Sequence, residues 1–102
     1  NPCFKSARIE DGKIIVSFDN ARSGFKGVIG EIQGFEIAGD DKVFHPADAR
    51  LNSKDHKIIE VSSKEVAEPV AVRYCFRNWC EGNLYNNYGI PAAPFRTDDW
   101  KL

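Results

Sequence analysis

Hydrophobic residues in this chain recur at every second position, and no window long enough for a three-turn helix carries them at a period of 3.6. Lys13-Ile14-Ile15-Val16-Ser17-Phe18-Asp19 places Ile14, Val16 and Phe18 on one face of an extended segment. Asp11-Gly12, just ahead of it, favours the tight turn of a hairpin, and Phe4-Lys5-Ser6-Ala7-Arg8-Ile9-Glu10 supplies the other arm. Phe35-Glu36-Ile37-Ala38 is a short strand that ends at Gly39-Asp40-Asp41. Val43-Phe44-His45 and Ala47-Asp48-Ala49-Arg50-Leu51 follow. The intervening Pro46 has no N–H to give a ladder, which marks an edge strand or a bulge. After a turn at Asn52-Ser53-Lys54-Asp55, Lys57-Ile58-Ile59-Glu60-Val61-Ser62 puts Ile59 and Val61 on one side. In Pro69-Val70-Ala71-Val72-Arg73-Tyr74-Cys75-Phe76-Arg77, Val70, Val72, Tyr74 and Phe76 face one way, and Ala71, Arg73, Cys75 and Arg77 the other. Residues 63–68 have room for a single helical turn. Six or seven short strands separated by turns predict an all-β fold, a two-sheet antiparallel β-sandwich, with residues 1–102 as one domain.

A chain of 102 residues buries roughly 60–70% of the surface its unfolded form exposes, enough for one independent core. The 42% hydrophobic and 28% charged composition is that of a globular domain. A net charge of −1 offers no electrostatic footprint for nucleic acid or an anionic membrane, so neither is an expected partner. The apolar runs are short and interrupted by charges, and no leader pattern opens the chain. It begins with Asn and contains no Met, as expected of a processed chain or an excised domain.

Catalytic machinery is hard to find. A serine hydrolase needs a nucleophile, a histidine base and an oxyanion hole. There is no Gly-x-Ser-x-Gly elbow, His45 adjoins Pro46 in a strand, and His56 lies in a charged turn. Cys-x2-Cys, His-x3-His and Asp-x-Asp-x-Asp patterns are all missing. The doublets Asp40-Asp41 and Asp98-Asp99 are expected to be a solvated turn and a solvated terminus. Gly24, Gly27 and Gly30 lie between strands and open no helix that could cradle a phosphate. No metal and no cofactor is expected. Cys3, Cys75 and Cys80 are an odd count. Cys75 and Cys80 are spaced to close a small loop at a strand end, although two half-buried thiols that never meet is the preferred expectation.

The last quarter of the chain is different. Residues 83–100 hold too much Asn, Pro and Gly for a regular element, yet Tyr85, Tyr88, Phe95 and Trp100 are too apolar for a disordered tail. An irregular segment with four aromatic rings is expected to lie flat against something, and the small domain itself offers limited surface. Two kinds of contact fit. Rings and polar groups at Trp79, Tyr85, Tyr88, Trp100, Asn78, Asn83, Asn86, Asn87 and Arg96 would suit a sugar, which stacks its apolar face and offers hydroxyls. The same residues would equally seal a seam between domains, where Tyr and Arg are enriched. Arg96 has Asp98 and Asp99 as nearby ion-pair candidates.

Four blocks in order carry a resemblance. Gly34-Phe35-Glu36-Ile37-Ala38-Gly39, Pro69-Val70-Ala71-Val72-Arg73-Tyr74, Asn83-Leu84-Tyr85-Asn86 and Gly89-Ile90-Pro91-Ala92-Ala93-Pro94-Phe95-Arg96-Thr97-Asp98 resemble the carboxy-terminal region of the sialic acid-specific 9-O-acetylesterases. Residues 13–18 and 61–63 fit the same pattern, so the likeness runs along nearly the whole chain; Ile90 and Ala93 depart from it slightly, and the Cys75/Cys80 pair is outside it. The resemblance implies an immunoglobulin-like sandwich from a parent hydrolase that removes O-acetyl groups from sialic acids. The nucleophile and base of that parent would sit on an upstream SGNH-type domain, and no position here matches them. The expected role is non-catalytic, with residues 83–100 as a packing tail. The upstream esterase domain of the same chain is the expected partner, with recognition of sialylated or acetylated glycans as the alternative. The parent is expected to be periplasmic or secreted. The expected contact residues are Asn83, Tyr85, Asn86, Tyr88, Phe95, Arg96 and Trp100.

Overall fold

Eight strands form among the residues that the computed structural model describes, which are 2–19, 25, 32–76, 84 and 92–100. β1 (Cys3–Glu10) and β2 (Lys13–Asp19) are the opening hairpin. β3 (Phe35–Ala38), β4 (Phe44–Pro46), β5 (Asp48–Leu51), β6 (Ile58–Ser62), β7 (Ala71–Tyr74) and β8 (Phe95–Arg96) follow. Every pairing is antiparallel, and the strands make two four-stranded sheets in the orders β1-β2-β6-β5 and β4-β3-β7-β8. This is the all-β sandwich predicted from the alternation, and no helix occurs among the described residues.

The hairpin follows from its turn. Glu10 pairs with Lys13 across a two-residue connection, with φ of 49° at Asp11 and 75° at Gly12. Two left-handed residues in succession make the turn whose twist matches the flanking strands. A Cβ on Gly12 would stand 3.2 Å from the carbonyl oxygen of Ala67. Gly12→Ala is therefore expected to destabilise the domain by about 1–2 kcal/mol, read as a lower urea midpoint at unchanged slope. On β1 the register shifts between Phe4 and Ser6, a bulge that with exposed Lys5, Arg8 and Glu10 makes this edge a poor template for another strand.

Period-2 alternation sends one face of each sheet inward. Ile14, Val16 and Phe18 of β2 and Ile59 and Val61 of β6 meet Phe35 and Ile37 of β3 and Val72 and Tyr74 of β7, all at most 3% exposed. Phe25, Ile32, Val66, Leu84 and Ala92 join this core from outside the strands. Phe25 meets Phe18 edge-on at 5.0 Å between ring centroids, and Leu84 is fixed by its N–H, which donates to the Tyr74 hydroxyl at 3.1 Å. Pro46 ends β4 at the edge of the second sheet. The chain then crosses to β5, at the edge of the first, through Ala47, whose N–H donates to the Phe35 carbonyl at 3.0 Å.

Four local expectations change. Residues 63–68 make no helical turn: Ser63 and Val66 form an isolated bridge, and the Ser63 hydroxyl takes the Glu65 N–H at 3.2 Å, competing with helix formation. The alternation around β7 holds only from Ala71 to Tyr74, because Cys75 adopts φ 48° and turns Phe76 away from the core. Val70, expected on one face with Val72 and Tyr74, is 40% exposed while those two are buried. Cys75 is disulfide-bonded rather than a thiol that meets nothing, and Cys80 lies outside the described residues. The left-handed bend at Cys75 ends the extended run of β7.

Candidate functional site

Of the residues expected to make contacts, Asn83, Tyr85, Asn86 and Tyr88 lie outside the described residues, as do Asn78, Trp79 and Asn87. Phe95, Arg96 and Trp100 are described, and they do three different things.

Phe95 turns inward. Within the stretch read as irregular, Phe95 and Arg96 pair with Tyr74 and Arg73 as β8. The Phe95 ring is 8% exposed and lies 4.8 Å from Phe4, 5.6 Å from Phe18, 6.2 Å from Tyr74 and 6.3 Å from Phe35. It is a core residue of this domain, not a contact held out for a neighbour. The short strand exists because burying this ring requires the backbone to dock beside β7.

Arg96 faces the other way, onto the outer face of the second sheet. The β7–β8 register sets it directly opposite Arg73. Two like charges across a strand pair repel, and Asp98 resolves the conflict. Arg73 Nε donates to Asp98 Oδ1 at 2.9 Å and its Nη2 to Oδ2 at 2.6 Å, a two-pronged match between guanidinium and carboxylate. Arg96 Nη2 lies 3.5 Å from Asp98 Oδ2, while Arg96 Nε donates to the Asp98 carbonyl and Nη2 to the Trp100 carbonyl, each at 2.7 Å. The Asp98 side chain is 1% exposed and that of Arg73 15%. Asp98 was expected at a solvated terminus. It is instead a buried acid held by two arginines.

The electrostatics follow from this geometry. The hydrogen bonds from Arg73 hold the Asp98 carboxyl below the usual carboxylate range, against the opposing effect of burial; the charges of Arg73 and Arg96 add to the lowering. The Arg73 guanidinium is pushed up by its hydrogen bond to Asp98, against burial, with help from the charges of Asp98 and Glu36. Both groups therefore stay ionised near neutrality.

Trp100 closes the segment. Its N–H donates to Asp98 Oδ2 at 3.2 Å, its ring centroid lies 5.7 Å from that of Phe44, and the Lys42 ammonium stands 5.6 Å from the same ring. Phe44 in turn has the Arg73 guanidinium 3.9 Å from its centroid. Residues 97–100 are thus strapped over the outer face of their own sheet. Thr97 begins the strap: its N–H donates to the Val72 carbonyl at 3.0 Å and its hydroxyl accepts from the Val72 N–H at 3.0 Å.

This arrangement is a network of ion pairs, hydrogen bonds and ring contacts within one sheet. His45 is half-buried on β4 of the second sheet, and His56 is exposed in the turn that joins β5 and β6 of the first. Among the described residues no group of three or more His, Cys, Asp or Glu side chains could hold a metal ion. The Asp41 carboxylate accepts the Val43 N–H at 3.1 Å, which is the work of a turn residue. No described helix is long and apolar enough to cross a membrane. The ion pair between Arg73 and Asp98 escaped sequence reading because the partners are 25 residues apart. Its one signal is an outward Arg on each of two strands with an Asp just beyond the second.

No protein-family model and no curated protein matches the chain. Among solved structures it is similar to the crystal structure of a carbohydrate acetylesterase from Xanthomonas citri, with 42% sequence identity and a TM-score of 0.83 over 97% of this chain. The chain is therefore related to part of a carbohydrate acetylesterase. It spans 23% of that protein's length. The likeness extends the resemblance drawn from sequence blocks to an esterase-associated small domain, and does not reach as far as the sialate-specific family.

Proposed function

We propose that this chain is a non-catalytic β-sandwich domain of a larger carbohydrate esterase, packed against an SGNH-type catalytic domain and supporting it. The observation that carries the proposal is the 42% identity to under a quarter of an acetylesterase chain, spread over nearly all of this one. The sequence blocks 34–39, 69–74, 83–86 and 89–98 extend the reading to a parent that removes O-acetyl groups from sialic acids in a periplasmic or secreted setting. The reactive groups then belong to the upstream domain. A supporting role fits Trp100 better than sugar stacking does, since Phe44 and Lys42 already engage its ring.

The test compares two proteins: the 102-residue chain and the full polypeptide that contains it. The full polypeptide is expected to release acetate from 4-nitrophenyl acetate and from 9-O-acetylated sialosides, and the 102-residue chain to stay at the buffer rate. Turnover by the short chain alone would overturn the supporting role. Hydrolysis of acetylated xylo-oligosaccharides but not of sialosides would overturn the sialate specificity.

A further inference from the structure

The two outer faces of the sandwich are chemically unlike. On the first sheet the outward row that runs through Arg8, Ile15, Glu60 and Arg50 is rimmed by exposed charge. Lys13 Nζ reaches Glu60 at 3.4 Å, and Asn52 Nδ2 donates to the same carboxylate at 3.0 Å. Pairs of this kind belong to a solvated surface. The second sheet turns Phe44, Glu36, Arg73 and Arg96 outward, with Glu36 opposite Arg73, and Phe76 and Trp100 gather beside them, the Arg96 guanidinium lying 5.1 Å from the Phe76 ring. All six are half-buried. Ala38 and Ala71, outward by alternation, are 0% and 2% exposed, a floor of small residues under the rings. Aromatic residues and Arg are enriched, and Lys and Glu depleted, at the centres of protein interfaces, where Trp and Arg also carry much of the binding energy.

We propose that the outer face of the second sheet, centred on Phe44 and Trp100, is the surface against which the catalytic domain of the same polypeptide packs. This rests on the domain reading above. Two observations select that occupant. In the similar acetylesterase more than three quarters of the chain lies outside the matched domain, so a covalently attached neighbour is at hand. The face is also mixed, with Glu36, Arg73 and Arg96 among the rings, which suits a contact between domains of one chain better than a homodimer interface, whose core is more apolar. A tethered domain also tolerates a smaller contact, because the linker supplies a high effective concentration.

Hydroxyl-radical footprinting tests the face without altering a residue. Oxidation of Phe44, Phe76 and Trp100 is expected to be several-fold slower in the full polypeptide than in the 102-residue chain, with Ile15 and Ile58 on the first sheet oxidised at the same rate in both. Equal rates at the three rings, or protection of Ile15 and Ile58 instead, overturn the proposal. Protection that grows with the concentration of the 102-residue chain alone also overturns it, since the occupant is then a second copy. The same full polypeptide is assayed for acetyl-ester hydrolysis. Hydrolysis without ring protection overturns this docking face and leaves the domain reading standing; absence of hydrolysis overturns the domain reading itself.

Discussion

Phe95→Ala is expected to destabilise the isolated domain by about 3–5 kcal/mol, the cost of deleting a buried aromatic ring whose neighbours cannot collapse into the hole. The ring sits among Phe4, Phe18, Phe35 and Tyr74, which come from both sheets, so no single side chain can rotate to refill the space. β8 is only two residues long and owes its place largely to this anchor. Its loss is expected to loosen the strap that follows as well. For a domain of this size each kcal/mol shifts Tm by roughly 4–8 °C, so thermal unfolding followed by circular dichroism should fall by well over 10 °C. The measurement belongs on the 102-residue chain. A ring that served only as a seal between domains would leave the isolated chain's Tm unmoved, and that result would return Phe95 to the interface.

Asp98→Asn is the second large effect, with an expected loss of about 3 kcal/mol at neutral pH. Removing one partner of a buried pair leaves the other charge uncompensated, and Arg73, at 15% exposure, recovers only part of its hydration. Arg96 also loses a carboxylate charge 3.5 Å away, and an amide NH2 at the Oδ2 position cannot accept the Trp100 main-chain N–H, so the change is expected to alter Trp fluorescence within the folded state. The pH dependence follows from the lowered Asp98 titration, caused first by the hydrogen bonds from Arg73. An acid with a depressed folded-state value contributes its stability above its unfolded value, about 3.9, and surrenders it as pH falls through the lower folded one. The wild-type domain should therefore lose stability steeply below about pH 4, and Asp98→Asn should flatten that slope. Urea unfolding at pH 7 and pH 3 provides the check: the gap between the two proteins should shrink at the lower pH. A gap of equal size at both would mean that the ion pair is not its source.

Much of the fold was legible in local chemistry. The hairpin needed only Asp11-Gly12 and the alternation on either side, since left-handed turn residues and a period of two are properties of adjacent positions. The core faces of β2 and β6 were readable for the same reason. Pro46 marked an edge because a missing N–H has the same consequence in any sheet. The reading failed at the end of β7. Cys75 adopts a left-handed conformation that the residue types around it do not signal, and with it Phe76 leaves the face it was expected to share with Val72 and Tyr74.

The candidate site was legible in composition but not in arrangement. Its aromatic and arginine content pointed to contact, yet sequence could not say that Phe95 belongs to the core while Arg96, the next residue, belongs to the outer face. Asp98 looked like a solvated acid because its partner Arg73 lies 25 residues earlier, and only the pairing of β7 with β8 brings the two together. By itself the order of residues determined strands, turns and which faces are apolar, all of which depend on near neighbours. The tertiary structure alone decided which rings are core, which acid is buried and what the closing segment lies against, because burial and charge pairing are set by groups remote along the chain.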